Sequence, residues 1–457
     1  IAAEGYARST GKTGVAIVTS GPGFTNAITG IADAYMDSIP VVIISGQVPT
    51  TIIGTDGFQE IDAVGISRPC TKHNYLVNKI EDLPRIIKEA FHLASTGRPG
   101  PVHVDIPKDI TAQLGEFIYP SEVSMPTYKP TLNYNKKQLK RAMEAISNAK
   151  KPLLYIGGGA ILSNCGYEIR DLAKKLNIPA VETLMARGVM GDENPLFFGM
   201  LGMHGEYAAN MAAHETDLLI SLGARFDDRV TGRLDEFASK AKVIHIDIDP
   251  TSIAKLVVAD YPIVGDLKLT VEAMIEDADN YDINDFSNWV ELLKDYREKE
   301  PLRYIDTDDL IKPQWPIQRV GKILGDNAII STDVGQHQMW TAQFFPFSHP
   351  RQWITSGGLG TMGFGLPAAL GAARAFKGTN RVVVNFTGDG SILMNIQELM
   401  TCSEYELPVI NIILNNNYLG MVRQWQTMFY ENRLAETDLT AQPKFKMLAE
   451  AFNCLGY

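Results

Sequence analysis

The chain has 457 residues, of which 45% are hydrophobic and 21% are charged, so it is long enough for several globular domains and too apolar for a disordered protein. Its formal net charge of -11 lacks the basic balance that is typical of nucleic-acid-binding proteins, so we expect no nucleic-acid partner. The four cysteines form no CxxC pair, which favours a reducing compartment, the cytoplasm or a plant organelle stroma, and no apolar run is long enough to predict a membrane span.

Short runs rich in Val, Ile and Leu recur along the chain, and most of them end in Gly, Ser, Asp or Asn. The runs cover residues 15–20, 41–46, 102–107, 153–159, 218–223, 243–249, 328–335, 382–390 and 409–417. Because they are apolar at every position, they predict parallel strands that are covered on both faces. Helix-like segments between them, such as 136–149 and 166–176, complete βαβ units, so the predicted fold class is α/β with doubly wound parallel sheets.

Two breaks in this pattern divide the chain into three blocks. The first break contains three prolines among Ser, Thr and Tyr residues, and the second is acidic and holds an isolated helix around Trp289 to Lys299. We therefore predict three domains with two linkers between them. The domains are residues 1–118, 136–276 and 315–457, and the linkers are residues 119–135 and 277–314.

A candidate diphosphate and metal site lies where two late strands end. The segment Gly388-Asp389-Gly390-Ser391 follows one apolar run, and an Asn doublet follows the next. The side-chain oxygens of Asp389 and Asn416, with the backbone carbonyl of Tyr418, are the hard ligands that Mg²⁺ prefers beside phosphates. In the alternative interpretation the glycines only form a tight turn, while Asn415 and Asn416 cap the next helix.

Motifs spread over nearly the whole chain resemble those of one family, acetohydroxyacid synthase. They are Ser20-Gly21-Pro22-Gly23, Gly46-Gln47-Val48-Pro49-Thr50, Gly97-Arg98-Pro99-Gly100-Pro101, Gly223-Ala224-Arg225-Phe226-Asp227-Asp228-Arg229, Gly335-Gln336-His337 and Gly357-Gly358-Leu359-Gly360-Thr361-Met362-Gly363. The resemblance implies a pyrimidine-binding first domain, a central FAD-binding domain and a diphosphate-binding third domain. The first and third would share the thiamine-diphosphate-binding fold.

The resemblance also implies an activity: acetolactate synthase, which joins two 2-keto acids with loss of carbon dioxide and uses thiamine diphosphate, Mg²⁺ and FAD. It implies a homodimer or homotetramer with the active site between subunits, and a possible small regulatory subunit. The activating Glu of the family lies upstream of the segment that matches Ala3 to Ala7, so we expect that it precedes Ile1 and that Glu4 is a different residue. We likewise expect the chain to be truncated at both ends.

Several residues match cofactor-binding positions of the family. Beside residues 388–391, those expected at thiamine diphosphate are Gly335, Gln336, His337, Gly360 and Met362. Those expected at FAD are Arg98, Gly157, Gly158, His204, Arg225, Asp247 and Asp266. Met362 resembles the residue that bends the cofactor, although it could be an ordinary core methionine. The glycines at 157 and 158 do not form GxGxxG and alone are weak signs of a dinucleotide.

Other residues match positions around the reacting substrate. Gln59 resembles a polar residue at this centre, or is a surface amide, and Phe58 is expected to form an apolar wall with Val48 and Pro49. Lys108 matches a residue of the substrate channel.

Two further residues that match the substrate channel each allow a second interpretation. Arg229 is expected to bind the carboxylate of the acceptor, with a surface salt bridge to Asp228 as the alternative. Trp425 is expected to narrow the acceptor pocket in favour of 2-ketobutyrate, with a core aromatic on a helix face as the alternative.

Three other functions are compatible with parts of these patterns. A related glyoxylate carboligase or pyruvate oxidase would share the diphosphate motif. A nicotinamide dehydrogenase would share the glycine-ended strands. It would also have a clean GxGxxG fingerprint, which this chain lacks. A chain without its activating Glu would bind cofactor or partner chains only.

Overall fold

The structure is a computed structural model that describes all residues from 1 to 457, and it contains three parallel-type sheets with helices between their strands. The first sheet has the strand order β1-β2-β4-β3, and its pairs are parallel. Its strands are β1 (Gly14–Val18), β2 (Val41–Gln47), β3 (His73–Leu76) and β4 (Val102–Pro107). Its helices are α1 (Ala2–Thr10), α2 (Pro22–Met36), α3 (Ala63–Ser67), α4 (Leu83–Ser95) and α5 (Lys108–Thr111).

The central sheet has six parallel strands in the order β10-β9-β8-β5-β6-β7. The strands are β5 (Pro152–Ile156), β6 (Ala180–Glu182), β7 (Phe197–Met200), β8 (Leu218–Leu222), β9 (Lys242–Asp247) and β10 (Tyr261–Val264). The helices are α6 (Lys136–Asn148), α7 (Gly159–Leu162), α8 (Gly166–Leu176), α9 (Tyr207–Glu215), α10 (Asp228–Thr231), α11 (Leu267–Asp277) and α12 (Ser287–Lys299). Strands β5 and β8 are buried at every position, as expected for a sheet covered on both faces.

The third sheet has the order β12-β11-β13-β14, in which β13 and β14 are parallel. Its strands are β11 (Ala328–Thr332), β12 (Trp353–Ile354), β13 (Val382–Gly388) and β14 (Val409–Leu414). The helices of this part of the chain are α13 (Gln314–Leu324), α14 (Gln336–Phe344), α15 (Gly365–Phe376), α16 (Asp389–Ile392), α17 (Glu398–Glu404), α18 (Gly420–Phe429) and α19 (Phe445–Ala451).

The chain forms two compact units, and the first combines both of its ends. The first unit comprises Ile1–Lys129, Ile329–Gly335 and Ile354–Tyr457, and the second comprises Pro130–Ala328 and Gln336–Trp353. Helices α13 and α14 therefore belong to the second unit, although they were expected in the third domain. The predicted domain boundaries stay predictions.

Within the first unit, α1 packs directly on α15 through small residues. A Cβ atom on Gly5 would lie 2.1 Å from the carbonyl oxygen of Ala368, and one on Gly371 would lie 1.9 Å from that of Ala2. No side chain fits between these backbones, so the two glycines permit the close approach.

Helix α12 is not the isolated helix that was expected in the second linker. Its residues Trp289, Val290 and Leu293 lie on one face and are buried in the core of the second unit. The indole nitrogen of Trp289 donates to the carbonyl oxygen of Pro152, 3.0 Å away, at the start of β5. The polar composition around α12 suggested a linker and obscured this short apolar stripe.

Candidate active site

The two motifs of the candidate metal site lie at one edge of the third sheet. Gly388, the last residue of β13, is in register with Leu414, the last residue of β14. Asp389 and Asn415 therefore follow neighbouring strand ends, as the sequence predicted. Asp389 begins α16 and is 1% exposed.

A third residue, Gln442, joins these two strand ends. Its amide nitrogen donates to Oδ2 of Asp389, and its Oε1 accepts from Nδ2 of Asn415 at 2.8 Å. Sequence reasoning missed Gln442 because it lies in a loop 27 residues after Asn415 and no local motif marks it. This bridge places an amide beside the carboxylate that was predicted to bind the metal.

Asn416 lies on the exposed side of the same edge. Its Oδ1 accepts from the backbone nitrogen of Tyr418 at 3.0 Å, which makes a local Asx turn. The Asn doublet does not cap α18, because the N-cap of that helix is Leu419 and makes no side-chain cap. Neither Gly388 nor Gly390 has a positive φ, so the backbone conformation at these two positions does not itself require glycine.

These oxygens match the ligands of Mg²⁺ in chemical type. A buried carboxylate, an amide oxygen and a backbone carbonyl at one strand edge are the hard donors that this ion prefers. The residues present therefore fit a magnesium-bound diphosphate.

Asp333, directly after β11, connects the end of β13 to the loop that precedes α15. Its Oδ2 accepts from the hydroxyl of Thr387 at 2.6 Å, and its Oδ1 accepts from the backbone nitrogen of Gly365 at 2.9 Å. Burial raises the pKa of the Asp333 carboxyl. Sequence reasoning missed Asp333, although its place after an apolar strand was a usable signal.

The remaining residues expected at thiamine diphosphate divide between the two units. In the first unit, the hydroxyl of Ser391 donates to the carbonyl oxygen of Val334 at 3.3 Å, next to Gly335. Gln336 and His337 begin α14 in the second unit, where His337 is buried.

The glycine-rich loop, residues 357–365, holds Gly360 and Met362. Gly360 has φ +73° and Gly363 has φ +82°, and both conformations favour glycine. The amide of Asn395 donates to the carbonyl oxygen of Gly363 at 2.7 Å. Met362 is half-buried and lies outside the hydrophobic cores, which does not support the alternative that it is a core methionine.

The carboxylates of Asp33, in α2, and Asp37, directly after α2, accept hydrogen bonds from the other end of this loop. Asp37 accepts from the backbone nitrogens of Gly357 and Gly358, at 3.0 and 2.7 Å. Asp33 accepts from the hydroxyls of Ser356 and Thr361. Sequence reasoning also missed these contacts.

The structure brings together two further motifs at the ends of β2 and β4. Gln47 pairs in register with Pro107, and its amide donates to Oδ2 of Asp105 at 3.0 Å. The backbone nitrogen and hydroxyl of Thr50 both donate to the Asp109 carboxylate, at 2.9 and 2.6 Å. Lys108, between these contacts, begins α5 and is exposed.

Phe58 and Gln59 lie on an exposed loop. Gln59 has φ +62°, and the Glu60 side chain folds the loop by accepting from the backbone nitrogens of Gly54 and Gly57. Phe58 is 90% exposed while Val48 is buried, so this chain alone does not form the expected apolar wall. Residues 51–56, which lie between these two hydrophobic residues, are all exposed.

A buried network lies beneath this edge. Oγ of Ser45 lies 2.7 Å from Nε2 of His103 and donates to Oδ1 of Asp105 at 2.5 Å. Burial lowers the pKa of His103 to about 4 and raises the pKa of Asp105 to about 6. Ser45 is fully buried, so its hydroxyl cannot reach a substrate.

In the central sheet, the glycines at the end of β5 contact backbone. A Cβ atom on Gly157 would lie 2.2 Å from the carbonyl oxygen of Gly223, whereas one on Gly158 would lie 3.1 Å from Cβ of Met185. Gly157 is therefore explained by packing between the ends of β5 and β8.

The other residues expected at FAD have the following positions. Asp247 ends β9, and its Oδ1 accepts from the backbone nitrogen of Asp249 at 2.8 Å. Asp266 caps α11 by accepting from the nitrogen of Leu269 at 3.0 Å. Arg225 is half-buried in the second unit, and Arg98, in the first unit, donates to the hydroxyl of Ser38 at 2.8 Å.

His204 lies on a loop of the second unit next to α10, the helix that carries Arg229. The backbone nitrogen of Met203 donates to the carbonyl oxygen of Arg229 at 2.8 Å. The pKa of His204 is lowered, mainly by burial and also by the charge of Arg229. Nε of Arg229 lies 3.7 Å from Asp228, but both side chains are exposed, so this pair contributes little to stability.

Helix α18 carries Trp425, whose ring contacts that of Phe429 edge to face at 5.2 Å. No residue of α18 is buried. Trp425 is therefore not a core aromatic in this chain, contrary to the alternative.

Comparisons with known proteins identify the family. Three thiamine pyrophosphate enzyme profiles match: the N-terminal TPP binding domain at residues 1–66, the central domain at 139–274 and the C-terminal TPP binding domain at 333–457. The chain is 50% identical over 460 residues to the acetolactate synthase isozyme 3 large subunit of Escherichia coli strain K12, covering 99% of this chain and 80% of that protein. The chain belongs to the acetolactate synthase large-subunit family.

Relatives in other organisms have similar identity. The acetolactate synthase large subunit of Haemophilus influenzae is 49% identical, with 99% of this chain and 80% of that protein covered. The probable acetolactate synthase large subunit of Methanocaldococcus jannaschii is 47% identical, with 99% and 78% covered. These comparisons confirm the resemblance and the three-domain α/β fold. None of the helices combines the length and apolarity that crossing a membrane requires.

Proposed function

We propose that this chain catalyses the acetolactate synthase reaction. It would decarboxylate pyruvate and ligate the two-carbon unit to a second pyruvate, which gives 2-acetolactate, or to 2-ketobutyrate, which gives 2-aceto-2-hydroxybutyrate. This is the first common step of valine, leucine and isoleucine biosynthesis. The observation that carries the proposal is the edge where Asp389 and Asn415 follow paired strands, in a chain of this family.

The third sheet supplies the groups that would hold thiamine diphosphate and Mg²⁺. We assign the metal to Asp389, Asn416 and the carbonyl of Tyr418, and the diphosphate to the backbone of residues 388–391 and to Gly335, Gln336 and His337. Thiamine diphosphate supplies, when bound, the nucleophilic carbon that attacks the keto group. Gln442 must release Asp389 or share it with the metal, because its amide nitrogen bonds the same carboxylate.

The remaining assigned residues position the reactants. Met362, with Gly360 on the same loop, would support the bent cofactor, and Gln59 and Phe58 would approach the reacting carbonyl. The guanidinium of Arg229, whose side chain is exposed, offers a fork of donors that matches the acceptor carboxylate. Lys108 and Trp425 would line the path of the acceptor.

We also propose that the central domain binds FAD as a structural group. The assigned residues are Arg98, Gly157, Gly158, His204, Arg225, Asp247 and Asp266. An arginine and a strand-end carboxylate match in chemistry the pyrophosphate and ribose of a dinucleotide. The reaction has no net redox change, so the flavin would not be consumed. The purified protein should show yellow flavin absorbance, and colourless protein would contradict this assignment.

A homodimer or homotetramer with active sites between subunits is part of the proposal, as is a small regulatory subunit. The relatives from E. coli and H. influenzae are named large subunits. The exposed Phe58 supports an assembled site, since a hydrophobic side chain at a reacting centre needs cover from another surface.

Product analysis tests the proposal. The protein, expressed from its complete coding sequence, is incubated with pyruvate, Mg²⁺, thiamine diphosphate and FAD. Acetolactate is the expected product. In a parallel incubation that also contains inorganic phosphate and oxygen, acetyl phosphate would instead indicate a pyruvate oxidase. With glyoxylate as substrate, tartronate semialdehyde would indicate a glyoxylate carboligase, and oxidation of NADH would indicate a dehydrogenase.

A further inference from the structure

Four charged side chains meet inside the first unit, and we name them the Arg8 cluster: Glu4, Arg8, Asp33 and Asp37. Nε of Arg8 donates to Glu4 at 3.0 Å, and its Nη2 lies 3.2 Å from Asp33 and 2.7 Å from Asp37. All four residues are buried. Such a group is costly to bury unless its charges are paired and its oxygens are hydrogen-bonded.

The cluster is not a metal site. Its three carboxylates have oxygens within 4.8 Å of one another, a spacing that a cation could occupy. The guanidinium of Arg8 already contacts all three, and it also lies 5.2 Å from the centre of the Phe364 ring. Burial raises the pKa of Glu4 well above its usual range, which reduces the excess negative charge around the single arginine.

The two aspartates of the cluster, Asp33 and Asp37, also bind the glycine-rich segment through oxygens that do not bond Arg8, Oδ2 of Asp33 and Oδ1 of Asp37. Asp37 accepts from the nitrogens of Gly357 and Gly358, and Asp33 accepts from the hydroxyls of Ser356 and Thr361. The hydroxyl of Ser356 also accepts from the nitrogen of Thr361 at 2.9 Å, which closes the turn. A Cβ atom on Gly358 would lie 2.7 Å from Oδ1 of Asp37 and 3.0 Å from Cβ of Met36, so a larger residue would displace the Asp37 carboxylate from the loop.

We propose that Asp33 and Asp37 are positioning residues that fix the glycine-rich loop, and Met362 next to Thr361, in the conformation that receives thiamine diphosphate. This inference rests on the proposed function for the loop. Glycine-rich backbone has little conformational preference of its own, so external hydrogen bonds must define its shape. Arg8 acts indirectly, because its guanidinium bonds both aspartates and orients their carboxylates.

The test compares two isosteric substitutions. Asp37→Asn keeps the size of the side chain but replaces one accepting oxygen with a donor, which must face a backbone N–H or Arg8. Glu182→Gln is the matched control, because Glu182 is equally buried, pairs with Arg187 at 3.0 Å and accepts from the nitrogens of Gly188 and Met190. Both substitutions remove a buried carboxylate, but only Asp37 contacts the glycine-rich loop.

Two measurements are made on the complete protein. Hydrogen exchange without cofactor should become at least about tenfold faster in peptides that cover residues 356–363 of Asp37→Asn, and should stay unchanged there in Glu182→Gln. The concentration of thiamine diphosphate that half-saturates the quenching of tryptophan fluorescence should rise about tenfold in Asp37→Asn only. If Asp37 had only a structural role, both variants would have a lower melting temperature. Their exchange rates at residues 356–363 and their half-saturating concentrations of thiamine diphosphate would then be equal.

The outcomes separate this inference from the proposed function. If wild-type protein fails to bind thiamine diphosphate, the proposed function is wrong. If the wild type binds and Asp37→Asn matches it in exchange and half-saturation, the inference is wrong. Should Asp37→Asn not fold, Thr361→Val removes one loop hydroxyl from Asp33 without deleting a charge, and the same two measurements apply with the same expected direction.

Discussion

At the scale of single residues, Asp389 offers the sharpest test of the metal site. Asp389→Asn keeps the volume and the contact with Gln442 but removes the charge that attracts Mg²⁺. We expect the Mg²⁺ concentration that half-saturates cofactor binding to rise at least about tenfold. Asp285→Asn is the control, because Asp285 is exposed, lies in the second unit and accepts from the backbone nitrogen and the hydroxyl of Ser287, at 3.0 and 2.6 Å. Equal Mg²⁺ requirements in the two variants would exclude Asp389 as a ligand.

A second prediction at this scale concerns acid stability. Burial lowers the pKa of His245 to about 4, and its Nε2 lies 3.1 Å from the carbonyl oxygen of Ala224. The folded state binds this proton less readily than the unfolded state does. His245 therefore imposes no penalty above pH ~6.5, and stability is lost as pH falls from there towards 4, by roughly 3 kcal/mol in total.

The measurement is urea unfolding of wild type and His245→Gln between pH 4 and 7.5. The variant keeps a side-chain N–H near Ala224 and cannot titrate, so its stability should fall less over this range. Parallel pH profiles for the two proteins would show that His245 does not contribute.

At the scale of elements, the ends of β5 and β8 depend on Gly157. Gly157→Ala would place Cβ against the carbonyl of Gly223, which is backbone and cannot turn aside. We expect a loss of about 1–3 kcal/mol in the free energy of unfolding, measured with denaturant. Gly158→Ala is the control, since its Cβ would lie 3.1 Å from Cβ of Met185 and no closer than 3.8 Å to any backbone atom. Equal stability of the two variants would contradict this packing argument.

Sequence reasoning succeeded where the pattern within a strand, or the shared direction of neighbouring strands, determines where a residue lies. Apolar runs identified nine of the fourteen strands and missed the short strands β3, β6, β7, β10 and β12. The shared direction of parallel strands placed Asp389 beside the Asn doublet. It failed where contacts between elements far apart in the chain determine whether a residue is buried. Asp33 and Arg8 have the spacing of ordinary helix charges, and nothing near them in the chain indicates burial. Phe58 was expected in an apolar wall but is exposed, because hydrophobicity alone does not show where a turn directs a side chain.

At the scale of the whole molecule, the segment between α5 and α6 is the most accessible to protease. Residues 113–135 contain no helix or strand, and Leu114 and Phe117 are 100% and 78% exposed. Limited chymotrypsin treatment should cut there first, which electrophoresis and mass spectrometry would detect. A triple change, Leu114→Ser, Phe117→Ser and Tyr119→Ser, should remove this cut, and a first cut elsewhere in the wild type would contradict the prediction.

The first unit takes its parts from both ends of the chain, and this has a consequence for biosynthesis. The face of α1 around Gly5 packs on α15, which leaves the ribosome more than 350 residues later. At about 10 residues per second, that interval is roughly half a minute. During translation α1 therefore remains without its packing partner, and its Gly5 face stays uncovered by α15 until that helix emerges.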